Sequence, residues 1–317
     1  MPPSDRAERF HLERVADGWG TYVRISDTIA RRQTEYQALE VVDTPRFGRM
    51  LLLDGIVMTS ERDEFFYHEN IVHPAAIAHP APKQALVIGG GDGGSSEELL
   101  KHNTIERVVL AEIDAGVIEA AREYLQTVHR GVFDDPRLEV RIGDGKAFVE
   151  SAQQHFDLIV LDLTDPVGPS AALYTREFYA ACAAILGEQG VLSLHVESPV
   201  SQPQHFNRIV RTLQAVFPIV RPYLVYIPLY GTWWGMATAS RSTDPLQLSG
   251  DEVQQRLATR GVAELQFYNR DTHRALFALP NFVRAALERQ AEILTGTSGG
   301  LGEMNYLDDK LVISRKD

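Results

Sequence analysis

The chain has 317 residues, 44% hydrophobic and 23% charged, with 24 Gly and 16 Pro; this ordinary globular balance excludes collagenous, coiled-coil and wholly disordered chains. Lys and Arg number 31 against 43 Asp and Glu, a formal charge of −12 at pH 7, which argues against a dedicated nucleic-acid or anionic-membrane binder and suits a cationic ligand. At about 150 residues per domain, the length is comfortable for two.

The amino-terminal MPPSDRAERFHLERV has no apolar run of signal-peptide type. No stretch approaches the roughly 18 uncharged apolar residues that span a bilayer. The one cysteine, Cys182, admits no internal disulfide, so a reducing, cytoplasmic setting is expected. Residues 19 to 59 read as β-structure: WGTYVRIS, TEYQALEVVD and RMLLLDGIVMTS are rich in β-branched and aromatic residues, and Asp54-Gly55 between LLL and IVM signals a two-residue hairpin. ERDEFFYHENIVHPAAIAH then switches to helical spacing, with Phe65, Tyr67 and Ile71 among polar residues, and Pro80 and Pro82 end it.

From Gln84 onward, continuous apolar strands alternate with helical segments: ALVIGG, RVVLAEID, LEVRIGDG, DLIVLDL and VLSLHVE, with helices such as SSEELLKH, AGVIEAAREYL and REFYAACAAIL between them. That pattern predicts a parallel sheet covered on both faces. VRPYLVYIP and TWWGMATAS read as two further strands and AELQFYN as a third. The expected fold class is α/β, a doubly wound Rossmann-like sheet of the AdoMet-methyltransferase type preceded by a small N-terminal β domain. The expected division is a β-hairpin domain over 1–75, a Rossmann-like catalytic domain over 76–290, and a flexible or draped tail over 291–317.

Ligands on such sheets sit at the carboxyl ends of the strands. Gly89-x-Gly91-x-x-Gly94 follows a strand and opens a helix, and Glu112 lies about twenty residues on, at the end of the second strand. The glycines permit a tight turn and the acid can grip a ribose diol, so the pair fits NAD or an adenosyl-sulfonium compound; a glycine-rich turn without a ligand is the alternative. Asp92 inside the loop would repel a pyrophosphate and attract a cation. It therefore favours decarboxylated AdoMet, which keeps an ammonium and lacks a carboxylate, over AdoMet itself; a turn residue or helix cap is the plainer reading. Asp144-Gly145, closing the third strand, is either an adenine contact or a simple turn. Asp162 and Asp165, held by Pro166 and Pro169 in VLDLTDPVGP, form an anionic mouth at the fourth strand's exit. A carboxylate there can hold a protonated amine and take its proton as nitrogen attacks carbon; helix capping is the alternative.

RFGRMLLLDGIVMTSERDEFFYHE, VIGGGDGGSSEELLKH, EIDAGVIEAAREYL, DDPRLEVRIGDG and DLTDPVGPSAALYTREFY together resemble the polyamine aminopropyltransferases, the spermidine synthase family. The resemblance runs from about Gly18 to Phe282, and PNFVRAAL fits the family's closing helix. It implies transfer of the aminopropyl group of decarboxylated AdoMet to a small cationic amine, releasing methylthioadenosine, with no metal and no prosthetic group. It implies that Asp162 accepts the proton, Asp165 holds the amine, Asp92 binds the aminopropyl ammonium and Glu112 the ribose. It places Asp144 and Gly145 at the adenine and Gln37 and Pro169 at the nucleoside. Tyr67, His68 and Tyr230 belong to the amine site on the same basis; without the resemblance His68 reads as a solvated helix residue. Trp233 and Trp234 could stack over the amine channel, although a core pair is the default.

Three departures lie on the amine side: His195, followed by Glu197, where many relatives carry Gln; Leu163, as in agmatine-using and thermospermine-forming relatives; and YGTWWGMA. Putrescine is the first-ranked acceptor, agmatine the second, then spermidine or cadaverine. Other classes are an AdoMet-dependent methyltransferase, which Asp92 and the Asp162/Asp165 pair oppose, and a silent nucleoside-binding protein. The resemblance further implies a homodimer or homotetramer, with the N-terminal β domain as a contact surface.

Overall fold

The computed structural model describes residues 8–297 and begins with an antiparallel hairpin, β1 (Arg9–Ala16) and β2 (Trp19–Ile25). β1 precedes the residues read as β-structure, because RFHLERVA presents no clean apolar face; it is half-buried along most of its length. A four-stranded antiparallel meander follows: β3 (Asp27–Gln33), β4 (Ala38–Thr44), β5 (Gly48–Leu53) and β6 (Ile56–Ser60). Asp54 and Gly55 turn β5 into β6 with φ of 50° and 79°, the paired positive angles of a type I′ turn, which a glycine adopts without strain.

The helix α1 (Glu64–Ala78) comes next and is buried on nearly every side, His68, Glu69, Asn70 and His73 included. It lies against the large sheet, so the division placed after residue 75 falls inside a helix that belongs wholly to the second unit. The boundary is the short link between β6 and α1. The Ala-rich second half of α1 gives the smooth surface that a sheet can cover closely.

The second unit runs β7 (Gln84–Gly89), α2 (Gly94–Leu100), β8 (Arg107–Glu112), α3 (Ala115–Tyr124), α4 (Gln126–His129), β9 (Leu138–Ile142), α5 (Gly145–Ser151), β10 (Phe156–Asp162), α6 (Arg176–Ile185), β11 (Leu186–His195), α7 (Pro203–Gln214), β12 (Ile219–Ile227), β13 (Thr232–Ser240), α8 (Gly250–Thr259), α9 (Arg270–Leu276) and α10 (Asn281–Glu288). The sheet order is β12-β13-β11-β10-β7-β8-β9. Five strands are parallel, while β13 runs antiparallel to both β11 and β12, so the sheet is mixed at one edge. Apolar side chains pack on both faces, one layer against α1 and the N-terminal sheet and the other against α6 and α7.

AELQFYN does not form the expected third strand. The backbone N–H groups of Gln266, Phe267 and Tyr268 all donate to the Glu69 carboxylate at 2.6–2.9 Å, so a buried side chain takes the place of a neighbouring strand. The carboxyl end of α1, with no basic residue in its own last turn, is capped from α8. Arg256 donates to the carbonyls of Ile77, Ala78 and His79, and Arg260 to those of Ala76, His79 and Pro80. Hydrogen bonds from a charged donor contribute about 1.5–3 kcal/mol each, enough to fix α1 as a rigid support. Beyond α10, Leu294 is buried, donates its N–H to Thr212 Oγ1 and accepts from Arg176 N, so the first part of the tail drapes over α6 and α7. Residues 298–317 of that expected tail lie outside the described residues.

Candidate active site

The strand order reverses between β7 and β10, and their carboxyl ends open a crevice there. In register, Gly89 pairs with Asp162. The loop after β7 lies flat on that aspartate: Gly90 N donates to Asp162 O at 2.8 Å. A Cβ at Gly89 would stand 2.2 Å from the same carbonyl, and one at Gly90 2.7 Å from the Asp162 carboxylate. Glycine is required there by close approach as well as by φ of 76° and 65°. A cavity of about 510 Å³ opens above this junction, roofed by the N-terminal sheet.

Gly89, Gly91, Asp92, Glu112, Asp144, Gly145 and Asp162 line the cavity together with Gln37, Tyr67, His68, Asp165 and Tyr230. Gly94 does not line it. That glycine opens α2, gives its N–H to Asp92 Oδ1 at 3.0 Å, and leaves room for the His68 ring, which a Cβ would meet at 2.3 Å. The side chain of Pro169 lies outside those described.

Two half-buried carboxylates, Asp92 in the loop and Asp162 at the end of β10, approach each other to within 4.8 Å. Burial, then the charge of Asp92, pushes the Asp162 carboxyl above its usual range, although Ser95 Oγ donates to it at 2.7 Å and Tyr67 also bonds it. Burial would raise Asp92 as well, but the His68 ring and the Gly94 N–H hold it below the usual range. His68 is placed between two acids, Nδ1 2.8 Å from Glu64 Oε2 and Nε2 3.4 Å from Asp92 Oδ2. Burial disfavours its charge; Asp92 and Glu64 outweigh burial and raise its pKa well above the ordinary value. Glu64 is tied in turn to Arg130 at 3.0 Å. Among the described residues, His68, Asp92 and Asp162 are the group whose spacing would admit a metal ion, their ligand atoms lying within 4.8 Å of one another. Both ring nitrogens of His68 face carboxylates, Glu64 on one side and Asp92 on the other.

Toward the N-terminal sheet, Glu112 ends β8 and accepts from Asp114 N at 2.8 Å. Burial pushes its carboxyl up to about 7. Asp144 caps α5 through Lys146 N at 2.8 Å while lining the cavity, so it is both the turn residue and a candidate base contact. Gln37 Nε2 and Thr34 Oγ1 both donate to Asp114 Oδ2, at 2.9 and 2.7 Å, pinning the β3–β4 turn to the start of α3.

At the other end, β11 and β13 supply the walls. His195 Nε2 lies 2.6 Å from the Tyr174 hydroxyl and 3.0 Å from Leu163 O, which places the ring proton on Nε2. Burial lowers His195 to about 4, so it is neutral. Trp234 stacks on it with centroids 5.6 Å apart, and Tyr230 meets Trp234 edge-on while its hydroxyl donates to Met58 O. Trp233 faces the surface, 48% exposed, and pairs with Tyr226. The expected core pair is therefore corrected: successive strand residues point to opposite faces. Glu197 sits at φ 68° with both carboxylate oxygens buried and without a hydrogen-bond partner among the described residues. Burial, then the charge of Asp165, pushes it well above the usual range.

Sequence reasoning missed Ser95, Glu64 and Arg130. Ser95 stood within the GGSS run, one residue past the loop glycines; Glu64 precedes His68 by one helical turn, a spacing that puts both on one face. Arg130 had no signal, being 66 residues from its partner. Among the described residues, no helix is long and apolar enough to cross a membrane.

Comparison with known proteins places these residues in context. Residues 10–61 match the family model described as "Spermidine synthase tetramerisation domain", and residues 64–248 the one described as "Spermine/spermidine synthase domain". A polyamine aminopropyltransferase of Nitrosomonas europaea is 52% identical over 289 residues, covering 91% of this chain and 89% of that one. One from Bacillus cytotoxicus is 39% identical over 87% of this chain and 98% of its own. A spermidine synthase solved with the transition state analogue AdoDATO superposes with a TM-score of 0.83 at 38% identity, over 90% of this chain and 99% of that one. The spermidine synthase of Thermotoga maritima gives 0.82 at 39% identity, over 89% and 95%.

Proposed function

The chain belongs to the spermine/spermidine synthase family and is a polyamine aminopropyltransferase, and from that premise we propose that it joins the aminopropyl group of decarboxylated AdoMet to putrescine. The observation that carries this reading is the pair of half-buried carboxylates, Asp92 within the glycine loop and Asp162 at the strand end beneath it, both lining the cavity. Asp92 binds the donor's ammonium and Asp162 the attacking nitrogen. The acceptor amine forms an N–C bond at the carbon next to the sulfonium. The S–C bond breaks, its electron pair stays on sulfur as methylthioadenosine, and the surplus proton passes from nitrogen to Asp162. Sulfonium is so good a leaving group that the protein needs alignment and deprotonation more than a covalent intermediate. The raised pKa of Asp162 brings it nearer to working pH, where a base is most effective.

Gln37, Glu112, Asp144 and Gly145 form the nucleoside end on this reading, with Glu112 accepting from the ribose diol. A diol donates best to a carboxylate, and Glu112 ionises at about 7. Raising the pH through 7 supplies the ionised form, so methylthioadenosine affinity is expected to weaken as the pH falls below 7, approaching tenfold per pH unit. Glu112→Gln flattens that dependence. Calorimetric titration from about pH 6 to 8 measures it; a flat wild-type profile removes Glu112 from the ribose.

Tyr67, Asp165 and Tyr230 line the path to the acceptor end. Glu197 supports an acceptor with a second cation: its buried carboxyl group makes no hydrogen bond, has the neutral His195 ring as a neighbour at 3.8 Å, and resists ionisation until a positive charge meets it. The second ammonium of putrescine supplies that charge. Agmatine is the second reading, since its planar guanidinium would engage both oxygens of Glu197 at once. Incubation with decarboxylated AdoMet carrying an isotope-labelled aminopropyl group and equimolar putrescine, agmatine, cadaverine and spermidine, with the labelled products identified by mass, decides between them. Dominant spermidine is the expected result; a dominant agmatine adduct transfers the assignment. The N-terminal sheets, which match the tetramerisation model, are proposed as the contact surface of a homo-oligomer.

A further inference from the structure

Two carboxylates as close as Asp92 and Asp162 in a half-buried site call for a cation, and the fold supplies one. The His68 ring fills the space that Gly94 leaves open, Nε2 toward Asp92 and Nδ1 toward Glu64. Glu64 is fixed on its far side by Arg130, whose backbone takes the left-handed conformation (φ 45°) at the end of α4. Asp63 and Tyr67 on the same segment, Asp162 from β10, and His129, which faces Asp92, complete the charged and titratable surroundings. Carboxylates outnumber the cations on this list, which keeps the ring protonated.

The donor's ammonium, on the reading given above, comes to the same Asp92. His68, Asp92 and Asp162 each place one atom within 4.8 Å of the others, so an ammonium seated on Asp92 lies within reach of the ring. Two cations that close inside a dry pocket repel strongly. We propose that His68 is a stand-in cation, occupying Asp92 in the empty site and surrendering its Nε2 proton when the donor's ammonium arrives. The N–H bond at Nε2 breaks, its electron pair stays on the ring, and the proton goes to the buffer, so one positive charge enters as one leaves. Nδ1 keeps its proton against Glu64. The freed Nε2 lone pair then accepts a hydrogen bond from the ammonium, which turns the placeholder into a ligand-binding group.

The test is the proton count of binding. The probes are 5′-methylthioadenosine and its unreactive analogue carrying a 3-aminopropyl group on a neutral thioether sulfur, which differ only by the ammonium arm. Titrated calorimetrically in buffers of different ionisation enthalpy at about pH 8, where Glu112 is already ionised, the aminopropyl compound is expected to release about one proton more than methylthioadenosine. His68→Gln and Glu64→Gln should both lose that extra proton, the second because its uncharged amide no longer holds the ring protonated at that pH. Retained methylthioadenosine binding shows that each variant is folded. An extra proton that persists in His68→Gln comes from a group other than His68, such as Asp162 or the ligand's own ammonium, and overturns the proposal, as does tight binding of the aminopropyl compound with no extra proton in the wild type. If the aminopropyl compound binds no more tightly than methylthioadenosine, the assignment of Asp92 to the ammonium fails, a different outcome from failure of the exchange.

Discussion

Asp162→Asn is expected to lower kcat by about 10²- to 10⁴-fold, the range that a positioned general base contributes, while methylthioadenosine binds as before. The two halves of that expectation have separate origins. The backbone of residue 162 anchors the glycine loop through Gly90 N, and an asparagine keeps that bond. Its amide oxygen can still accept from Ser95 Oγ, so the local geometry holds. What disappears is an atom that can take a proton while nitrogen attacks. Steady-state rates at saturating donor and acceptor, set beside calorimetric nucleoside affinity, make the measurement. A variant that keeps most of its turnover removes Asp162 from proton transfer. A variant that loses nucleoside affinity in step with rate shows instead that the loop has moved.

Asp92→Asn should act on donor capture. Truncating one partner of a buried, hydrogen-bonded charge pair costs about 2–5 kcal/mol, or roughly 30- to 5,000-fold in kcat/KM for decarboxylated AdoMet. Methylthioadenosine, which has no ammonium arm, should be nearly indifferent. The substitution also removes the negative neighbour that helps raise Asp162, so the acid limb of the kcat profile shifts to lower pH. Discrimination between the donor and AdoMet should narrow, since an amide does not repel the carboxylate that AdoMet carries. Equal losses for donor and methylthioadenosine would mean that Asp92 shapes the loop rather than binding the ammonium.

The parallel half of the sheet was legible in the sequence because its residues act where they stand. Apolar strands, a glycine run and acids at strand ends are local signals, and the switch point brings those ends together by rule. Helix α1 was legible as a helix but not as a buried one, since its polar residues find partners distant in sequence: Glu64 in Arg130, His73 in Glu98, Glu69 in the backbone of 266–268. AELQFYN carried strand-forming residues, yet the Glu69 carboxylate claimed its N–H groups. Trp233 and Trp234 carried a signal that went unused, because adjacent positions in a strand must part to opposite faces. Glu197 was noted only as a neighbour of His195. That its oxygens are buried without a hydrogen bond is a property of the packed molecule, invisible until β11, β13 and the loop after β10 close around them.

The antiparallel edge of the sheet has a further consequence. Asp92 and Glu112, proposed for the donor's ammonium and ribose, lie at or just after the ends of the inner strands β7 and β8, and His68 stands on α1, elements whose displacement would disturb the whole core. Glu197, Trp234 and Tyr230 hang on the end of β11 and on the β12–β13 hairpin, a peripheral ribbon whose outer strand pairs with one neighbour only. Such a ribbon tolerates substitution that the centre does not. Lineages sharing one alkylating reagent can therefore diversify in the nucleophile they accept by editing this rim, inheriting the reaction intact while the menu of amines drifts.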